Sequence, residues 1–389
     1  ADSEAASANV VHAVADESTP VEQVRTLLNR HTRGNGALDH CFGDERVTDV
    51  VVSAPVAESP VLVRVDGERA TTNVRLTPRG GAALASALRR ASGRPLSRAE
   101  PTVDAVVETP GGPVRAAAVT EPASDGTGFA FRSHERTPFR LPDLVANGTA
   151  DADAAGLLSV AVERGAAILV AGSRGAGKTT LLGALLWELP AGTRTVTVAD
   201  TPELPVAALR EAGRDVQTLR TDRDGDGAAL EPTEAVRTAL RLGEGALAIG
   251  EVRGKEATAL YEAMRVGAAG SAVFGTVHGE GAAGVRNRVT EDLGVDEAAF
   301  AATDLVVTCS ADPERHVAAI EEVGRDSFTR LSAPDGRSLV EAGAVGEGRS
   351  ALLVALSRPD ETYADVRAAV RSRAERIRRV ANGDRRALA

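Results

Sequence analysis

The chain of 389 residues carries 55 acidic against 45 basic side chains, a formal charge of -10, which excludes nucleic-acid or membrane binding through bulk positive charge. A hydrophobic content of 43% is enough to bury cores and excludes intrinsic disorder for most of the length. At roughly 100–200 residues per domain, two or three domains are expected. The longest uncharged stretch, Val266 to Gly279, is too short and too glycine-rich to cross a bilayer, which needs about 20 apolar residues, so a soluble or peripheral protein is expected. Cys41 and Cys309 are the only cysteines. They form neither a disulfide framework nor a metal-ligand pair, and a reducing interior is the default. The stretch after Ala1 lacks the basic, apolar and small-residue pattern of a leader peptide. Among the basic residues only Lys178 and Lys255 are lysines. That bias and the acidic balance fit a GC-rich genome and a salt-adapted, haloarchaeal type of cytoplasm.

In chain order, residues 1–20 are small, polar and acidic and read as a mobile arm. A short helix is predicted over Val21–Arg30, then strands over Val47–Ser53 and Pro60–Gly67, the second closed by an Asp-Gly turn. A returning strand follows over Thr71–Leu76, a helix over Gly80–Ser92, and strands over Thr102–Glu108 and Pro113–Thr120. Together these make an α+β domain over 21–140. Residues 141–152 have linker chemistry, with Pro142 and Asn147-Gly148 as punctuation. From 153 to 312 strands and helices alternate. Strands are predicted at 167–171, 194–199, 215–219, 246–250, 271–276 and 304–308, and helices at 178–189, 205–212, 231–242 and 255–266. Apolar strands in such alternation predict a mostly parallel, doubly wound sheet buried on both faces. Residues 313–389 read as a small appendix ending in an arginine-rich helix over Tyr363–Ala381. In that helix Val366, Val370, Ala374, Ile377 and Ala381 form an apolar stripe. A solvated surface helix and a helix docking on an acidic partner or anionic lipid are both open.

The strongest chemical signal is Gly172-Ser173-Arg174-Gly175-Ala176-Gly177-Lys178-Thr179, followed by Thr180. It fits G-x-x-x-x-G-K-[ST] and stands between an apolar strand and a helix, as that loop requires. Its glycines let backbone N–H groups curl around a phosphate at a helix N-terminus. Lys178 neutralises the β and γ oxygens, and the Thr179 hydroxyl can ligate Mg²⁺. A second signal is the apolar strand Ala246–Gly250 that ends in Glu251. Ligands collect at the carboxyl ends of strands in a doubly wound sheet, so Glu251 is a candidate water-orienting base and a neighbour of the metal. The bland alternative is a surface strand cap.

Gly250-Glu-Val-Arg-Gly-Lys-Glu-Ala257, Glu262–Gly267, Gly275-Thr-Val-His278-Gly279 and the box Arg194–Leu204 resemble, in order and spacing, the Walker B motif, histidine box and acidic box of the hexameric motor ATPases of type II and type IV secretion, type IV pili and archaella. Asp44–Ser53, Pro101–Asp104 and Phe129–Arg136 resemble that family's N-terminal domain and the arginines leading into its linker. The resemblance spans roughly residues 20–312. It implies a RecA-like P-loop ATPase domain behind an α+β domain, ATP and Mg²⁺ bound between the two, and a homohexamer. It further implies a place at the cytoplasmic face of the membrane, beside a polytopic platform protein. Two departures stand out. The first acid of the acidic box is Ala199, leaving Asp200 and Glu203, so either hydrolysis is slow or another acid serves. Gly243-Glu-Gly245 replaces the Arg-Pro-Asp that commonly precedes the Walker B strand.

Under this resemblance His278 senses the γ-phosphate or bridges subunits, against the ordinary reading of a structural histidine. Arg132, Arg136 and Arg115 are candidate phosphate clamps. Direct nucleic-acid binding is not expected, because aromatics make up 3% of the chain and no stacking platform is visible. The resulting expectation is an ATP-driven motor for filament assembly or protein secretion. The rivals are a DNA-export motor and a ring-forming scaffold that barely hydrolyses.

Overall fold

The computed structural model describes residues 38–44, 46–109, 112–133, 138–201, 203–221, 229–243, 245–266, 272–325, 327–331, 339 and 343–384. The predicted arm and the helix over Val21–Arg30 lie outside them. The chain forms two compact units, 1–137 and 138–389.

In the first unit the strands are β1 (Val47–Val52), β2 (Pro60–Val65), β3 (Glu68–Arg75), β4 (Thr102–Thr109), β5 (Gly112–Val119) and β6 (Gly128–Ser133). They build one antiparallel sheet in the order β3-β2-β1-β6-β5-β4. Strict alternation turns Val103, Ala105 and Val107 inward, where they meet Leu84 and Leu88 of the helix Pro78–Ser92 in one core. That helix starts where Thr77 Oγ1 accepts the Gly80 N–H at 3.0 Å and Pro78 pre-sets the first turn. It ends at Gly93, whose φ of 69° no β-branched residue would tolerate. β6 is absent from the predicted strands, although Phe129–Arg136 is matched to the N-terminal domain and its arginines. It holds the middle of the sheet, with Phe129 and Phe131 buried.

The second unit has β7 (Ala167–Gly172), β8 (Thr195–Ala199), β9 (Val216–Arg220), β10 (Ala246–Ile249), β11 (Val273–Val277), β12 (Leu305–Ser310), β13 (His316–Val323) and β14 (Phe328–Arg330). Their order is β14-β13-β12-β7-β11-β10-β8-β9. All pairings from β12 to β9 are parallel, and β13 and β14 extend the sheet antiparallel. The expected doubly wound α/β sheet is therefore present. Within β7, Ile168 and Val170 enter one core with the helix Lys178–Leu186, while Leu169 and Ala171 enter the other with the helices Pro232–Arg241 and Glu256–Val266. A strand apolar at every position is what burial on both faces requires.

Two stretches differ from the sequence reading. Residues predicted as linker form a helix, Leu141–Ala146, with Leu141 and Leu144 buried in the core of the second unit. The polar punctuation marks the end of that helix instead of a free tether. Behind it lies a helix with no amphipathic pattern, Ala152–Glu163, buried at every position from Ala152 to Val162. It is covered on its outer side by the C-terminal helix Tyr363–Ala381, which turns Val366, Val370, Ala374 and Ile377 onto it. Its arginines are not all solvated: Arg378 reaches Asp153 at 3.1 Å, and Arg373 binds Glu163. Residues after 312 thus belong to the same compact unit. They are tied in again where the buried Glu322 carboxylate accepts from Ser350 Oγ (2.6 Å) and from the Leu352 N–H (3.1 Å) at the start of the helix Ala351–Ala355.

The two long helices touch at Gly156. A Cβ there would lie 2.7 Å from the Ala374 backbone nitrogen and 2.8 Å from the Val370 carbonyl oxygen. Gly156→Ala ordinarily gains about 1 kcal/mol of helix propensity, but at this crossing overpacking should outweigh it at about 1–3 kcal/mol. Denaturant unfolding of the variant should show a lower midpoint than the parent; a raised midpoint would mean that the helices part without cost.

Candidate functional site

β7 delivers the phosphate loop. Gly172 takes φ of 146°, and a Cβ on it would stand 2.4 Å from the carbonyl oxygen of Cys309 on the neighbouring β12. Only glycine lets these strand ends run together. Gly177, with φ of 90°, caps the helix Lys178–Leu186. Ser173, Arg174 and Gly175 are exposed, Ala176 is buried, and Thr179 and Thr180 are half-buried. The Lys178 stem is buried and its Nζ donates to the carbonyls of Gly172 (3.0 Å) and Ser173 (2.8 Å). Burial pushes its pKa down, with nearby Glu251 opposing. The ammonium is therefore short of compensating charge, a condition that an incoming phosphate relieves. Beside Lys178, the Cys309 thiol is pushed up to about 12 by burial, so it is inert.

The acids gather at the ends of the adjoining strands. Thr179 Oγ1 donates to Glu203 at 3.1 Å, beyond the end of β8. Glu251 follows β10 and is set by two backbone bonds, Gly250 N–H to the Val198 carbonyl (2.9 Å) and Val252 N–H to the Thr276 carbonyl (2.8 Å), and by the Thr276 hydroxyl donating to the Gly250 carbonyl (2.6 Å). Its carboxylate binds the Arg253 guanidinium, and His278 Nε2 lies 3.0 Å from Oε1 without the angle of a hydrogen bond. Arg253 also stands 3.6 Å from Asp200. Burial raises the Glu251 pKa, but Arg253 first, then His278 and Lys178, outweigh it and hold the carboxyl below its ordinary range.

The sequence-predicted residues Lys178, Thr179, Glu203, Asp200, Glu251 and His278 thus stand at one end of the sheet, joined by direct or shared contacts. Sequence reading missed the roles of Arg253 and Glu256. The buried Glu256 accepts from the backbone N–H groups of Arg253 (2.7 Å) and Gly254 (2.9 Å), which fixes the turn that aims Arg253. The available signal was an acid placed to cap the turn just before its own helix. The chain has hard oxygens suited to Mg²⁺, the Thr179 hydroxyl beside the Glu203 carboxylate. No group of three or more His, Cys, Asp or Glu that could hold a metal occurs among the described residues.

The arginine candidates behave differently. In the first unit Arg64, Asp49, Arg132 and Arg115 stand in one cross-strand row. Arg132 donates to Asp49 at 2.8 Å while remaining largely exposed. Arg136 lies outside the described residues. Both sequence departures acquire a physical reason. Ala199 lines a small cavity together with Asp200, Glu251 and Glu256, so a glutamate there would join three like charges. A Cβ on Gly245 would fall 2.0 Å from the Arg194 carbonyl oxygen, so that position admits only glycine.

A phosphate loop at the carboxyl edge of a doubly wound sheet, with Glu251 two strands away, defines a P-loop nucleotide-binding domain. The profile of the type II/IV secretion system protein family matches residues 102–357, and the chain belongs to that family. A Mycobacterium tuberculosis protein named as a candidate conjugal transfer protein is 34% identical over 257 residues, covering 65% of this chain and 71% of the relative. The type IV secretion system protein PtlH of Bordetella pertussis is 40% identical over 134 residues, 34% of this chain and 38% of its own. Among solved structures, the Legionella pneumophila ATPase DotB covers 93% of this chain and 90% of its own at a TM-score of 0.53 and 18% identity, a likeness of fold. No described helix is long and apolar enough to cross a membrane.

The lowered Glu251 pKa has a sign that can be checked. A depressed carboxyl contributes stability above its unfolded value, about 4.3, and that contribution is lost as pH falls through the lower folded value. The difference in melting temperature between parent and Glu251→Gln should therefore shrink on acidification below that value. A difference that stays constant down through the carboxylate range would show that the ion pairs do not hold Glu251.

Proposed function

We propose that the chain is the ATP-hydrolysing subunit of a secretion motor. The observation that carries this reading is the meeting of Lys178, the Thr179–Glu203 pair and Glu251 at the carboxyl ends of β7, β8 and β10. Loop amides from Gly172 to Thr180 and the Lys178 ammonium bind the β and γ phosphates; Thr179, with Glu251 nearby, would hold Mg²⁺, which would supply positive charge beside those phosphates. Glu251 orients the attacking water and accepts its proton, and Asp200 and Glu203 complete the acidic surround. His278, beside Glu251, reports γ-phosphate to the carboxylate. A phosphate bound by Arg132 would have to compete with Asp49 for its guanidinium.

The family supports a homohexameric ring peripheral to the cytoplasmic face of the membrane, working on a polytopic platform protein to drive protein secretion or assembly of a pilus-like filament. The name of the mycobacterial relative favours a second cargo, DNA moved without direct contact by this chain. Ala199 favours a third reading, a ring that binds nucleotide and hydrolyses it slowly.

Two substitutions test the chemistry. Lys178→Ala should remove nucleotide binding and phosphate release while the protein still folds, since Lys178 serves the loop at a desolvation cost and does not pack a core. Glu251→Gln should keep binding and lose about 10²- to 10⁴-fold in turnover. If the parent hydrolyses ATP, phosphate release at the parental rate from either variant would refute the assignment; a parent that binds ATP but releases phosphate no faster than the enzyme-free background would establish the slow scaffold.

Assembly is tested separately. Adding ATP and Mg²⁺ should shift the mass by light scattering from smaller species toward a hexamer, more so at high salt, where the negative subunits repel less. A mass that remains monomeric across these conditions would exclude the ring.

A further inference from the structure

The phosphate loop has a second cation on it that belongs to no motif. β12 pairs in parallel with β7, with Cys309 opposite Gly172, so the turn after β12 overhangs the loop. From that turn Arg315 lays its side chain across the loop, its Nε donating to the Gly175 carbonyl at 3.0 Å. Its Cδ would stand 3.9 Å from a Cβ on Gly177. The same peptide unit is held at its other end, where the Ala176 N–H donates to the Ser173 carbonyl at 3.3 Å. With Lys178 on the carbonyls of Gly172 and Ser173, three loop carbonyls are turned to cations. None of these oxygens is then free to face an anion, and the amides that open the helix Lys178–Leu186 remain for phosphate. Arg315 is exposed and forms no ion pair among the described residues.

We propose that Arg315 is a positioning residue for nucleotide: it pins the Gly175–Ala176 peptide from outside the loop, so that the loop is already shaped for the β-phosphate before nucleotide arrives. The inference rests on the reading of residues 172–179 as a phosphate loop. It assigns the turn between β12 and β13 to the nucleotide site, although no sequence motif reaches it. Because the clamp shapes the part of the loop that ATP and ADP share, its loss weakens both nucleotides alike. Lys178 differs in this respect, since its ammonium meets the phosphates directly.

The test measures dissociation constants for fluorescent ADP and ATP analogues, KM and kcat for ATP, and hydrogen exchange of the loop peptide without nucleotide. These are compared in the parent, Arg315→Ala, Arg315→Lys and Lys178→Ala. Loss of one charge-assisted hydrogen bond at an exposed site should raise Kd for both nucleotides about three- to tenfold in Arg315→Ala. KM should rise in proportion, kcat should stay within about twofold, the loop peptide should exchange faster, and the melting temperature should stay at the parental value. Arg315→Lys, whose ammonium can reach the same carbonyl, should recover most of the affinity. Unchanged affinity in Arg315→Ala overturns the proposal, as does a loss confined to ATP, which would make Arg315 a γ-phosphate ligand. Failure of Lys to restore binding overturns it as well. If Lys178→Ala also binds normally, the phosphate-loop reading itself fails; if Lys178→Ala alone loses binding, only the role of Arg315 fails.

Discussion

Gly172 stands so near Cys309 that one methyl group would bring a carbon within 2.4 Å of the Cys309 carbonyl, and the site depends on that approach. It lets β7 and β12 run in register to their ends. The loop then leaves the sheet with its carbonyls toward Lys178 and Arg315 and its helix-opening amides toward the place where phosphate would sit. Shifting β12 outward would displace the Arg315 turn together with the loop. Protein interiors accommodate such shifts poorly, because close-packed neighbours have nowhere to move.

Charge takes over where packing stops. On a chain of net charge -10, polar groups of the site are tied to one another: Lys178 to loop carbonyls, Arg253 to Glu251 and Asp200, and the Thr179 hydroxyl to Glu203. Lys178 bears the cost of burial and Glu251 gains from its cationic neighbours, so the site is arranged for exchange of partners more than for maximal stability of the free protein.

The far side of the second unit follows a different economy of contacts. The helix Ala152–Glu163 is buried along nearly its whole length because the C-terminal helix covers it, and Gly156 sets how close the two lie. The arginines Arg373 and Arg378 then find acids on the covered helix. These pairs are partly buried, and they give the two helices one register. The C-terminal segment is therefore part of the fold that supports the site, anchored at Glu322 as well.

Much of this was legible in the sequence wherever local pattern and local chemistry coincide. Uncharged, mainly apolar runs marked β7, β8, β10 and β12 because strands buried on both faces carry no charged residues. The loop from Gly172 to Thr179 and the strand end at Glu251 were legible because phosphate chemistry demands those residue types at fixed spacing. Other features were decided only in three dimensions. β6, the helix Ala152–Glu163 and the burial of Leu141 and Leu144 depend on distant partners that no local period encodes. The two departures, Ala199 and Gly245, gained a reason only when Glu251, Glu256 and the Arg194 carbonyl were placed around them. Arg315 is the clearest case: in sequence it is one arginine among many, far from the loop, and it meets Gly175 only because parallel pairing carries the end of β12 to the end of β7. Sequence fixes chemistry that repeats within a few residues, whereas contacts between remote segments are settled by the packing of the whole sheet.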